Sequence, residues 1–226
     1  MAMSPWHHEL QQIGDLQGRL NGFLAILIGL TAAVVVLLPA LWEVSQHVNT
    51  MAHEGGHALM CVLIGQKLDS VKMKLDGTGA TSPSKNEKYS RTVGVIGYLA
   101  PGLLGLGAAK LIEMRHIVDV LWLFLLGLLL LLVVARGWFA PICVLATGFL
   151  LYLIVRYGSV GLQVVVAYGM TWFLLFSGFT MVIKHNRNAG DAGNLRKATH
   201  VPESLWVLIW LIGSTFTMIL GAVLLV

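Results

Sequence analysis

A succession of apolar runs, most close to twenty residues long, constrains this chain more than any other feature. The runs cover residues 23–42, 47–64, 92–112, 117–135, 138–155, 160–183 and 205–226. Roughly 20 predominantly apolar residues carry a helix across a bilayer. In lipid the backbone must satisfy its own hydrogen bonds, so such runs predict helices. Composition agrees: 57% of the 226 residues are hydrophobic, only 12% are charged, and mean hydropathy is +0.78. The expected fold class is an all-α polytopic membrane protein of about seven spans. It forms one integral membrane domain over 1–226, behind a polar N-terminal tail at 1–21. No cleavable signal peptide is evident, because the first run is long enough to span and lacks a small-residue exit.

The net charge of +4 is not a nucleic-acid signal, since the basic residues lie between apolar runs. With the N-terminus inside, the inner segments hold Arg19, Lys67, Lys72, Lys74, Lys85, Lys88, Arg91, Arg136, Lys184, Arg187, Arg196 and Lys197. The outer ones hold Lys110, Arg115 and Arg156. The positive-inside tendency then predicts a cytoplasmic N-terminus and an outer C-terminus. Cys61 and Cys143 both lie in apolar runs and read as buried thiols.

The second run is less apolar than its neighbours and contains His53-Glu54-Gly55-Gly56-His57. On a helix, positions i and i+4 share a face, so both imidazoles can reach one Zn²⁺. Glu54 sits beside them, where it can take a proton from water and return it to a leaving amine. Histidines and a glutamate at membrane depth are costly unless they meet a partner or a wet cavity. Gly55 and Gly56 weaken the helix by roughly 1 kcal/mol each. They either clear space beside a metal or let another helix approach closely.

Residues 65–90 have a different period. Leu68 to Leu75 alternates apolar and polar, Asp76-Gly77 is a hairpin-turn pair, and Gly79 to Pro83 reads as a return strand. A short β-hairpin therefore follows the motif helix. It can pair with an extended substrate by strand addition, with Leu68, Val71, Met73 and Leu75 as the substrate-binding side chains.

A catalytic zinc takes three protein ligands and one open position. Among the acids, Glu9, Asp15 and Glu87 lie in polar stretches, Glu43 ends a run, and Glu113 and Asp119 fall on the outer side. Asp76 has a local reason to be at a turn. Asp191, between Gly190 and Ala192 in the polar island 184–203, remains. His185 and His200 in that island are rival ligands, and Asp191 can instead cap a short helix. If 47–64 stands upright, His53 lies about 11 residues, or roughly 16 Å, inside. The island must then dip inward, or the site must be a wet cleft.

The chain resembles the site-2 protease-like intramembrane zinc metallopeptidases, in particular the small bacterial members without a PDZ domain. The resemblance rests on His53-Glu54-Gly55-Gly56-His57, the strand-like segment after it and the late Asp191-Ala192, over roughly 45–112 and 184–210. It implies Zn²⁺ on His53, His57 and Asp191, with Glu54 activating water. The family's Leu-Asp-Gly letters occur here at Leu75-Asp76-Gly77, too soon after the histidines. Its Gly-Pro-x-x-Asn element has only Gly97-Tyr-Leu-Ala-Pro101-Gly102 as a counterpart. The implied activity is a zinc-dependent endopeptidase of regulated intramembrane proteolysis. It would cut transmembrane or juxtamembrane segments of membrane proteins in a bacterial inner membrane. A catalytically silent scaffold or chaperone is the alternative, and the intact Glu54 argues against it. A transporter would place ionisable groups on several spans, and 117–183 holds almost none inside.

Overall fold

We describe the protein from a computed structural model, over residues 16–83, 91–184 and 190–226. Helix α1 (Gly22–Leu37) begins at Asn21, whose side chain accepts from the Leu24 amide. It ends at Leu38, which is extended at φ −76° and ψ 119°, and Pro39 opens α2 (Pro39–Leu63). A residue before proline is driven out of the helical region, and proline is well placed at the first position of a new helix. The two axes meet at 99°. The break expected near residues 43–46 does not occur, and α2 runs unbroken for 25 residues.

The hairpin follows as β1 (Leu68–Met73) and β2 (Gly79–Pro83), antiparallel, with Val71 opposite Thr81 and Met73 opposite Gly79. Then come α3 (Arg91–Glu113), α4 (Ile117–Val134), α5 (Phe139–Tyr157), α6 (Val160–Ile183), the short α7 (Asp191–Thr199) and α8 (Glu203–Leu225). Helices α3, α4, α5, α6 and α8 are each long and apolar enough to cross a membrane. The bent pair α1 and α2 makes a sixth crossing at most, so the expected seven spans become five or six. Gly102 of α3 and Gly178 of α6 meet closely: a β-carbon on Gly178 would lie 3.0 Å from the Gly102 amide nitrogen. These two helices, with α8, form the centre, as small residues at a membrane helix interface permit.

The crossing number also moves the N-terminal segment. At one end of α4, the Gln17 side chain accepts from the Ile117 amide at 2.8 Å. At the other end, the Arg136 amide donates to the Val71 carbonyl at 2.8 Å. Eighteen helical residues, roughly 27 Å, separate the two. Arg19 donates to the Leu224 carbonyl at 2.7 Å. Residues 16–20 and the C-terminus therefore share the end opposite the hairpin. The sequence expectation grouped Arg19 with the hairpin, because it counted α1 and α2 as two crossings.

The hairpin is wedged between α2 and the α4–α5 pair. Val71 and Met73 are buried in a cluster with Met51, Ala58, Leu131, Ala135, Ala140 and Val144. Leu68 packs against the same cluster, and Leu75 is exposed. Val71 and Met73 are thus core residues rather than the substrate-facing side chains expected of them. The alternation is that of a strand, but its apolar face already has a partner in the bundle. Gly79 and Ala80 leave β2 as the exposed strand.

This topology has a direct test. With Cys61 and Cys143 replaced by serine, Gly18→Cys and Val226→Cys label from one membrane face with an impermeant maleimide. Asp76→Cys labels from the other face. Labelling of residues 18 and 76 from the same side would contradict the six-crossing arrangement.

Candidate metal centre

The bend at Leu38 decides where the histidines lie. It lays α2 across the first turns of α3, so the His57 ring reaches the Val93 carbonyl, with Nδ1 at 2.7 Å from the oxygen. Val93 is in the first turn of α3, and Gly97 is six residues along from Arg91, roughly 9 Å. The site is therefore shallower than an upright motif helix would make it. A carbonyl only accepts, so His57 Nδ1 carries the hydrogen. In the neutral ring Nε2 then keeps its lone pair free for a metal.

The three side chains meet at one point. His53 Nε2 and His57 Nε2 are 3.1 Å apart. Asp191 Oδ2 is 3.0 Å from His57 Nε2 and 3.2 Å from His53 Nε2. Tetrahedral zinc at 2.0–2.1 Å from nitrogen and oxygen sets its ligands roughly 3.3 Å apart. The triangle fits a metal with only a small outward relaxation. Among the described residues, these three form the group of histidine, cysteine and acidic side chains that can hold an ion. Both rings are about 5% exposed, which leaves little water to offset the convergence of their lone pairs with a carboxylate.

Asp191 arrives by way of α7. Its N-cap, Gly190, has φ +89° and ψ −153°, a conformation favoured for glycine. Asp191 is the first residue of that helix rather than its cap. Ala192 and Leu195 are fully buried against Tyr98, Val182 and Trp210, and this burial draws the helix into the bundle. Burial alone would raise the Asp191 pKa. Without an ion between them, an imidazole that carries a proton on Nε2 donates to Oδ2, which outweighs burial and holds the carboxyl well below the usual carboxylate range.

Asp76 is exposed at the hairpin tip, where its carboxylate accepts from the Thr78 hydroxyl at 2.6 Å and amide at 2.9 Å. These bonds hold its carboxyl below the ordinary value. His200 is exposed at the far end of α7, with φ +62°. Neither joins the triangle, and His185 lies outside the described residues.

Glu54 is buried and faces the hairpin. Thr81 Oγ1 donates to its Oε2 at 2.6 Å, and a β-carbon on Gly79 would lie 2.5 Å from its Oε1. The two motif glycines divide their roles: space is open beside Gly55, whereas Gly56 packs on Ala100 of α3.

Three contributors went unrecognised in the sequence. A β-carbon on Gly97 would lie 2.3 Å from His57 Nε2 and 2.8 Å from His53 Cε1. Its sequence signal was its place at the head of Gly97-Tyr-Leu-Ala-Pro101-Gly102, which says nothing of contact with the imidazoles. Tyr98 sets its ring edge-on to His53, 4.7 Å between centroids, and stacks on Trp210 at 4.3 Å. Thr81 shares the inward face of β2 with Gly79, a signal available from strand alternation alone.

Gly97→Ala follows as a probe. Its methyl group enters the space of both imidazoles, so metal affinity falls by about tenfold or more, as for other disturbed supports of metal ligands. Titration of the metal-free protein with zinc measures this. Gly107→Ala, where the surroundings are open, serves as a control with unchanged affinity.

No curated protein and no solved structure matches the chain. The family profile described as Peptidase M50B-like matches residues 26–221. The match takes in the bent helix pair, the hairpin and the helix that bears Asp191. On that match, which spans most of the sequence and all three converging side chains, the chain belongs to the Peptidase M50B-like family.

Proposed function

We propose that the protein is an intramembrane zinc endopeptidase that cuts transmembrane or juxtamembrane segments of other membrane proteins. The observation that carries this reading is the convergence of His53, His57 and Asp191 within 3.2 Å, one residue from a buried glutamate. His53, His57 and Asp191 would hold the ion. Zinc held there supplies Lewis-acid chemistry to a peptide carbonyl and to water. Glu54 takes a proton from the attacking water and returns it to the leaving amine. Open space beside Gly55 admits the scissile segment.

The exposed strand β2 supports an extended substrate. A helix hides its carbonyls in its own hydrogen bonds, so the cut segment must unwind, and pairing with a strand edge offsets that loss. This assigns strand addition to Gly79–Pro83 rather than to the buried side chains of β1.

Charge supports a cytoplasmic hairpin end. Lys67, Lys72, Lys74, Arg136, Lys184, Arg196 and Lys197 lie at or beside it. Arg19, Lys110, Arg115 and Arg156 lie at or near the opposite end. The positive-inside tendency then puts the site near the cytoplasm and residues 16–20 outside, reversing the expected N-terminal orientation. The membrane is a bacterial inner membrane by the resemblance drawn from the sequence.

Glu54→Gln keeps the size of the side chain and removes the base. It lowers kcat on a detergent-solubilised single-span model protein by at least about 100-fold, with zinc content unchanged. Asp191→Ala loses both zinc and activity. Full cleavage by Glu54→Gln, or undiminished zinc in Asp191→Ala, would contradict the mechanism.

A further inference from the structure

The inward face of β2 meets Glu54 along its whole carboxylate. Thr81 donates to Oε2 at 2.6 Å, short enough for a strong hydroxyl–carboxylate bond. The same hydroxyl lies 3.3 Å from the Glu54 carbonyl oxygen. Two residues earlier on that face, Gly79 stands where any β-carbon would lie 2.5 Å from Oε1, 2.7 Å from Cγ and 2.8 Å from Cδ. Opposite them on β1, the same face is Val71 and Met73, buried in the core. The face thus changes from apolar to hydroxyl and glycine where it reaches the acid.

The hairpin is also fixed to the motif helix above this contact. Thr50 Oγ1 donates to the Gly77 carbonyl at 2.6 Å. Gly77 sits against the Gln46 side chain. On its other flank, β1 bridges to Ala135, beside the Arg136 amide. The hairpin whose second strand touches Glu54 is therefore held at its turn and along β1.

From this geometry we infer that Gly79 and Thr81 form a cradle that aims the Glu54 carboxylate, and that Thr81 is its positioning residue. The inference rests on the reading of Glu54 as the base. Thr81 occupies Oε2 with a donated hydrogen and selects one rotamer of a side chain that could otherwise sweep through several. Gly79 leaves the carboxylate room beside the strand. The strand proposed to pair with substrate is then also the strand that orients the base, so a displaced hairpin leaves the base misaimed.

The test compares Thr81→Val, Thr81→Ser and Gly79→Ala with the parent protein. Thr81→Val keeps the shape and β-preference of threonine but cannot donate. It lowers kcat by about 10- to 100-fold, the worth of a hydrogen bond to a charged group, and leaves KM within about twofold. Thr81→Ser restores most of kcat. Gly79→Ala lowers kcat in the same manner. Zinc content is unchanged in all three, since none touches a ligand. Hydrogen exchange of the 79–82 amides rises in Thr81→Val and not in Thr81→Ser.

Parent-like kcat in Thr81→Val, or failure of serine to restore it, overturns the inference. A loss expressed only in KM assigns the hairpin to substrate binding alone and also overturns it. Glu54→Gln run alongside separates the two levels. If that variant cleaves fully, or the zinc-loaded parent does not cleave the single-span model protein, the peptidase reading fails. If Glu54→Gln is inactive and Thr81→Val is not, the cradle alone fails.

Discussion

Three electron-pair donors aimed at one point in an apolar bundle repel one another unless something positive lies between them. His53, His57 and Asp191 stand in that relation, at 3.0 to 3.2 Å. The surroundings hold them there at evident cost. Gly97 gives up its side chain so that both rings fit, and the Val93 carbonyl fixes one tautomer. His53 Nδ1 is buried with no hydrogen-bond partner among the described residues. A proton on one ring relieves part of that repulsion through a hydrogen bond to Asp191. A site that recruits a cation gains both charge balance and geometry.

The break at Leu38–Pro39 is what makes this arrangement compatible with lipid. An upright motif helix would carry two histidines and a glutamate toward mid-bilayer, far from the polar island that carries Asp191. Turned by 99°, α2 keeps them near the hairpin end, within reach of α7. One extended residue before a proline thus lowers the desolvation cost of the whole centre. It also removes one crossing and brings both termini of the described fold to one end.

Much of this was legible in the sequence, because membrane helices announce themselves by length and the motif by spacing. The five spans α3, α4, α5, α6 and α8, the hairpin and the trio His53, Glu54 and His57 came from pattern, and Asp191 came from elimination and the family resemblance. The errors share one cause: a linear pattern does not say what a face packs against. Val71 and Met73 alternate as a half-buried strand should, yet the buried half meets α2, α4 and α5 rather than a ligand. The run from 23 to 64 held two apolar stretches whether it crossed once or twice. Pro39 marks the bend, whereas residues 43–46, which interrupt the apolar pattern, lie inside α2. Gly97 and Thr81 act on partners in other elements, so their roles became visible only once α3 and β2 were set beside α2.

Packing also separates the crossing helices by how free each is to shift. Helix α6 is the most buried of the crossing helices and packs on α1, α3 and α8. Moving it would dismantle the core. Helix α5 is among the least buried and leans chiefly on α4. The hairpin is tied to that pair through Val71 and Ala135, and to the motif helix through Thr50 and Thr81. A shift of α4 and α5 would therefore travel through β1 to β2 and on to the glutamate. The two-stranded sheet is too small to deform independently of the helices that grip it, so the Glu54 carboxylate is coupled to the α4–α5 pair.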